Sequence, residues 1–286
     1  MRGGFALGLL GNRTAGMPHR GITPYLGILY PASQGKYVTE ISNNKEIGIA
    51  FATFLAHEFR QVDIDFSPEV IDTMPFRWQG FTVGLGYTYR LSLANFDSVF
   101  ENMDAARRRN IVSAEKAGIR VETGADLESI LRLREISFER QHLTPLYEQT
   151  AHKIERALRS ADRCLAFLAR NKEDKPAGGV WIVWDEKRAY YLLGGYDHAA
   201  KSNNAVALAM WRAIQYTAVN LRLAEFDFEG SVIPPVERFF RKFGGTLTPS
   251  YRIRYRRPSV LGRTVSVGRR IAGKLKRMAL NTDQIQ

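Results

Sequence analysis

Residues 223–245 read LAEFDFEGSVIPPVERFFRKFGG, and this stretch decides the fold. Ala224, Phe226 and Phe228 alternate with Glu225, Asp227 and Glu229, the period of a strand with one apolar face. Gly230 and Ser231 interrupt that pattern, and Pro234 and Pro235 then sit where a helix tolerates missing backbone N–H groups. Val236, Phe239, Phe240 and Phe243 follow at i, i+3, i+4 and i+7, an apolar helical stripe that Gly244 closes. Carboxylates therefore fall at the C-terminal end of a buried strand, facing a helix start. That is a position suited to chemistry, and Glu229 is the first candidate; capping of the next helix is the plainer alternative on these residues alone. Asp227 alternates with the inward phenylalanines and is expected on the opposite face as a structural partner. Ser231 is read first as a helix cap, since no His and Asp accompany it in triad-like spacing.

Working outward, the same periodicities order the chain. Thr23–Tyr30 (TPYLGILY) is an extended apolar segment, and 45–59 is helical with Ile47, Phe51, Phe54, Leu55 and Phe59 on one face. Strands are expected at 62–66 and 81–93, and one long helix over 97–117 that carries Arg107, Arg108 and Arg109. These three arginines point to different faces, so a solvated run with one inward salt bridge is expected. From Ile119 the pattern runs strand, two helices (126–141 and 148–160), three strands (164–170, 178–184, 189–196), helix (203–219), strand, helix, strand (246–255). A mixed α/β sheet with helices on both faces follows. The Gly84–Gly86 motif lies mid-strand, which argues against a nucleotide loop.

Composition narrows the classes. The 286 residues suffice for one large or two modest domains, and 45% hydrophobic content is that of a globular core. The single cysteine, Cys164, excludes an intramolecular disulfide and favours a reducing, cytoplasmic setting; a small buried hydrophobe is its expected role. The five histidines show no metal-ligand spacing. No apolar run reaches the roughly 20 residues that span a bilayer. The opening MRGGFALGLLGNR is read as mature sequence, because glycines interrupt its apolar core and no persuasive cleavage site follows. Of the net charge of +12, most lies between Arg252 and Leu280, which hold ten Lys or Arg and no acid. Within 260–280, Leu261, Val265, Ile271, Leu275 and Met278 recur at helical spacing among the basic residues. This basic amphipathic tail suits an anionic membrane surface first, RNA phosphates second; a solvated tail is the third reading, since Gly262, Gly268 and Gly273 weaken a helix.

The element order, together with TPYLGILY, PFRWQGFTVGLGYTYRLSL, RRRNIVSAEKAGIRVE, YYLLGGYD and FDFEGSVIPPVERFFRKFGG, resembles the Fem-like branch of the GNAT N-acetyltransferase superfamily over residues 22–256. The branch includes the tandem-GNAT peptidoglycan-bridge aminoacyltransferases. The resemblance implies a tandem GNAT arrangement with a shortened first domain: a partial GNAT-like unit at 1–95, an acyltransferase unit at 96–257 and the basic tail at 258–286. It implies transfer of an acyl group from acyl-CoA or aminoacyl-tRNA, a co-substrate rather than a permanent cofactor, to a small-molecule or peptide amine of a cell-envelope or specialised-metabolite precursor. The setting would be cytoplasmic and peripheral on the inner membrane, with tRNA as a further partner.

Site residues follow from the same resemblance. Glu229 becomes the expected general base or positioner of the acceptor amine. The strand 190–196 is the one expected to splay and open the donor groove, with Tyr196 and Asp197 at its end; a plain core-edge role for Tyr196 is the alternative. Lys201, Ser202, Asn203 and Asn204 open the helix whose N-terminus faces the donor's phosphates in relatives, but they lack the glycines of the usual pyrophosphate loop. Arg140 and Gln141 stand where relatives have a similar polar pair, to grip an acceptor carboxylate or phosphate, or simply to end a helix. Many relatives read F-K-x-x-F-G in the late helix, where this chain has Phe240 in place of the lysine. These departures sustain a second reading, a catalytically inactive GNAT-like binding module.

Overall fold

The computed structural model describes residues 22, 25–30, 35–139, 148–200, 204–230 and 233–257. In chain order the elements are α1 (Tyr37–Glu58), β1 (Gln61–Asp65), α2 (Met74–Trp78), β2 (Thr82–Ser92), α3 (Phe96–Val99), α4 (Ala105–Lys116), β3 (Arg120–Thr123), α5 (Leu127–Glu139), α6 (Glu148–Arg159), β4 (Cys164–Arg170), β5 (Pro176–Trp184), β6 (Arg188–Tyr196), α7 (Ala205–Val219), β7 (Glu225–Asp227), α8 (Pro234–Arg241) and β8 (Thr246–Arg256). The strands form one eight-stranded mixed sheet in the order β1-β8-β2-β7-β6-β5-β4-β3. Every neighbouring pair is antiparallel except β6 and β7. The expected order from Ile119 onward is the observed one.

Side-chain alternation assigns the two faces. On β5, Val180 and Ile182 join Phe226, Phe228, Met210 and Phe243 in a core under α4, α7 and α8. Trp181 and Val183 point the other way, into a core with Ile130, Leu133 and Leu168 under α5 and α6. A third cluster, with Phe51, Leu55, Ile64, Phe66, Phe76 and Ile253, holds α1 and α2 on the end of the sheet formed by β1 and β8. Helix α7 is apolar almost all round because it is buried: Ala205, Leu208, Met210, Trp211 and Ile214 are all inside.

The structure corrects three local expectations. The single helix over 97–117 is two helices, because the Asp104 carboxylate accepts hydrogen bonds from the backbone of Ala106 (2.9 Å) and Arg107 (3.3 Å) and so starts a new helix as its N-cap. Arg107 does turn inward, yet it meets the rings of Phe239 (4.2 Å) and Phe243 (4.5 Å) and donates to the Phe239 carbonyl at 3.0 Å. The expected inward contact to a carboxylate is replaced by aromatic faces and a backbone oxygen, and burial pushes the guanidinium down to about 10 despite the pull of Asp104. The strand of the decisive stretch is short, three residues, and α8 begins only at Pro234 with Ile233 in the cap position.

Candidate active site

The site begins where β6 and β7 part. The two strands pair in parallel over Arg188–Tyr190 and Glu225–Asp227 alone. Strand β7 then ends, while β6 continues to Tyr196, roughly 20 Å further at about 3.3 Å per residue. The β6–β7 pairing thus stops at Tyr190, the start of the strand 190–196 that was expected to splay, while β6 stays paired with β5 to Tyr196. The far end of β6 is tied elsewhere. The Ser137 hydroxyl on α5 accepts from the Tyr196 N–H at 2.9 Å and lies 2.9 Å from the carbonyls of Tyr196 and Leu133. Helix α5 reaches β6 this closely because Gly195 has no side chain; a Cβ there would stand 2.3 Å from the Arg134 nitrogen and 2.5 Å from the Leu133 oxygen.

At the vertex of the groove, β7 runs into a strained turn. Glu229 has φ +57° and Gly230 φ +64°. The left-handed conformation costs a residue with a side chain roughly 1–2 kcal/mol. Gly230 is required by space as well, since a Cβ would lie 2.0 Å from the Tyr87 carbonyl of β2. The turn is held by Asp227, fully buried on the face opposite Phe226 and Phe228. Its Oδ1 accepts from the Glu229 N–H at 2.8 Å and the Thr88 hydroxyl at 2.5 Å. Its Oδ2 accepts from the Tyr25 hydroxyl and from Arg90 Nε, each at 3.0 Å. Arg90 in turn forks onto Glu69 at 2.7 and 3.2 Å, and Arg188 binds Glu69 at 2.7 Å and Glu225 at 3.1 Å.

Glu229 is half-buried. Burial pushes the Tyr191 hydroxyl above its ordinary range, the Arg134 guanidinium pulls it down, and the Glu229 carboxylate pushes it up. Tyr25 is raised by burial first, then by Asp227, with Glu229 adding to the same direction. At the turn itself stand Glu229 and, through its bond to Asp227 and its edge-on contact with Tyr190 at 6.3 Å, Tyr25 from the N-terminal segment; Tyr191 packs on Phe240, and Arg134 reaches β6 beside Gly195. Arg134 is buried, its guanidinium 4.4 Å above the Phe138 ring. Sequence reading passed over Arg134 and Tyr191. The available signal was polar occupancy of an apolar stripe: Leu127, Ile130, Leu131, Arg134 and Ser137 share one face of α5.

The expected site residues do not all converge. Tyr196 and Asp197 lie at the far end of β6, roughly 20 Å along the strand from the last β6–β7 pair. Tyr196 sets its ring edge-on to His198 at 6.4 Å. The Asp197 carboxylate accepts from the Ala199 N–H at 2.8 Å, making a local turn. Asn204 occupies the cap position of α7 with no side-chain cap bond; its carbonyl accepts from Leu208. Arg140, Gln141, Lys201, Ser202, Asn203 and Ser231 lie outside the described residues, as does the basic tail 258–286. The helix cap past the turn is Ile233, four residues beyond Glu229. Phe240 is 3% exposed and packs against Tyr191 (5.3 Å) and Phe228 (5.6 Å). Its neighbours Arg241 and Lys242 pair instead with Glu237 and Asp104, each at 3.5 Å.

This sheet, with one parallel pair that separates beside helices on both faces, defines a GNAT acyltransferase fold. Residues 102–241 match the family model of the acetyltransferase (GNAT) domain. Solved structures with the same fold include FemX, at TM-score 0.57 and 15% identity over 75% of each chain. The C-terminal domain (DUF2156) assigned to a lysylphosphatidylglycerol synthetase of Agrobacterium fabrum is also similar, at TM-score 0.54 and 12% identity over 74% of this chain and 73% of that one. No curated protein matches the chain. The fold is Fem-like GNAT. Among the described residues no helix is long and apolar enough to cross a membrane.

Proposed function

We propose that the protein is an N-acyltransferase in which Glu229 receives the proton of an acceptor amine at the vertex of the β6–β7 groove. The observation that carries this reading is a carboxylate residue held in a left-handed turn where the strand pairing stops, since strained backbone of this kind clusters at functional sites. The amine nitrogen attacks the acyl carbon of a thioester or ester lying along β6. The amide C–N bond forms, the C–S or C–O bond breaks, the amine proton passes to Glu229 and the leaving thiolate or ribose oxygen is protonated in turn. Acyl-CoA and aminoacyl-tRNA are the two donor classes. The acceptor is an amine of a cell-envelope or specialised-metabolite precursor, a reading supported by the fold shared with FemX and with a domain named for lysylphosphatidylglycerol synthesis. The basic residues of 260–280 would keep the enzyme at the anionic inner membrane or on tRNA.

Mass spectrometry of envelope precursors and amines in a strain lacking the protein tests this. An N-acylated amine disappears, returns with the parent gene and does not return with Glu229→Gln. The buried Phe240 favours one other reading, a GNAT-like module that binds without catalysis. Thermal-shift titration separates the two, because a donor at a hundred times its Kd stabilises by about 2.7 kcal/mol. No shift with acyl-CoAs or charged tRNA, combined with an unchanged amine profile, would establish the binding module.

A further inference from the structure

We propose that Asp227 is a positioning residue: it fixes the left-handed turn that aims Glu229, and Tyr25, Thr88 and Arg90 fix Asp227. The proposal rests on the reading of Glu229 as the base. A strand carboxylate needed only to neutralise Arg90 has no reason to reach forward to the amide two residues on. Asp227 does both, and divides the work between its oxygens. Oδ2 takes the arginine and the Tyr25 phenol at 3.0 Å each, while Oδ1 takes Thr88 at 2.5 Å and the Glu229 N–H at 2.8 Å. Four donors from β2, the β7 turn and a segment 202 residues away leave the carboxylate one orientation. Complete burial removes competing water and strengthens each bond.

The geometry explains how the strain at Glu229 is borne. A glutamate released from Oδ1 returns to the extended or right-handed regions, where residues with a side chain rest, and its carboxylate takes a new direction. Gly230 cannot take up the change, because its own left-handed backbone lies against the Tyr87 carbonyl. The site is therefore set by residues that do not touch the reacting atoms. Tyr25 links it to the N-terminal segment, whose Leu26 N–H donates to the Asp65 carbonyl of β1 at 2.9 Å.

Amide hydrogen exchange in the full chain, read by NMR, tests the proposal. Asp227→Asn keeps an oxygen that accepts the Glu229 N–H, whereas Asp227→Leu keeps the shape and no acceptor. In the Leu variant the Glu229 amide should exchange at least about tenfold faster, with the Phe228 amide, bonded to the Tyr89 carbonyl, within about twofold of the parent; the Asn variant should retain protection at both. An unchanged Glu229 amide overturns the proposal, and so does an equal rise at Phe228, which would make Asp227 a strand support only. If the Leu variant does not fold, Thr88→Val serves: it removes the donor that steers Oδ1, should quicken the Glu229 amide about threefold, and overturns the proposal if it does not. In the deletion strain, Asp227→Asn should restore the acylated amine and Asp227→Leu should not. Full restoration by Glu229→Gln refutes the catalytic reading of Glu229. Failure of Glu229→Gln alongside restoration by Asp227→Leu refutes the positioning role alone.

Discussion

Glu229 holds a backbone conformation that favours glycine, so its side chain and its stability are at odds. Glu229→Gly relieves a strain of order 1 kcal/mol. It should raise the Tm by about 2–4 °C for a chain of this size while abolishing formation of the acylated amine. A melting curve and the metabolite profile of one variant check both halves; a fall in Tm would show that the turn is not strained at that residue. Phe240 gives the opposite case. Replacing it with the lysine of relatives puts a cation between Tyr191 and Phe228 in a dry core, where an unpaired charge is expelled or neutralised. Phe240→Lys should cost about 3–5 kcal/mol in urea unfolding and confer no added transfer.

At the scale of elements, the close approach of α5 to β6 shapes the groove. Gly195→Ala drives a methyl into the backbone of Leu133 and Arg134, atoms that cannot rotate aside. We expect a loss of about 3 kcal/mol by urea denaturation, and displacement of α5 from the end of β6. These contacts also show what was legible beforehand. Helices and strands whose side chains repeat strongly, such as α7 with its nearly continuous apolar surface and β4 over Cys164–Arg170, could be read from local period alone. Residues 97–117 kept a helical period throughout, and only the capping geometry of Asp104 reveals the break. Glu229 was legible because a carboxylate at a strand end with glycine behind it is a local pattern. Tyr25 was not, because it meets Asp227 across 202 residues and no spacing records that meeting.

At the scale of the whole molecule, a charged cluster binds the segment around Glu69 to β2, β6 and β7. Burial alone would raise the Glu69 carboxyl, but hydrogen bonds from Arg90, Ser67 and Arg188 outweigh it and hold the group well below the usual carboxylate range. A depressed folded-state value means that the stabilisation is present above the ordinary value of 4.5 and is lost as pH falls toward the folded value. The parent should therefore lose Tm on acidification below pH 4.5 more steeply than Glu69→Gln, as thermal melts between about pH 5 and pH 2.5 would record. Equal slopes would mean that the cluster does not couple to unfolding.

The position of β8 carries a consequence for synthesis. The last strand among the described residues lies between β1 and β2, two of the earliest, with nine register pairs to β2 and five to β1. The sheet cannot zip in the order in which the ribosome delivers it; β1 must wait for a partner encoded about 180 residues later, and such long-range closure is slow. A chain ending at residue 245 should lose protease resistance in α1, α2 and β1, whose core needs Ile253 of β8, and keep it in the two cores that β8 does not enter, as pulse proteolysis would record. In the nascent protein the strands around Glu229 would then be able to pair before the unit of α1, α2 and β1, which must wait for β8 to leave the exit tunnel.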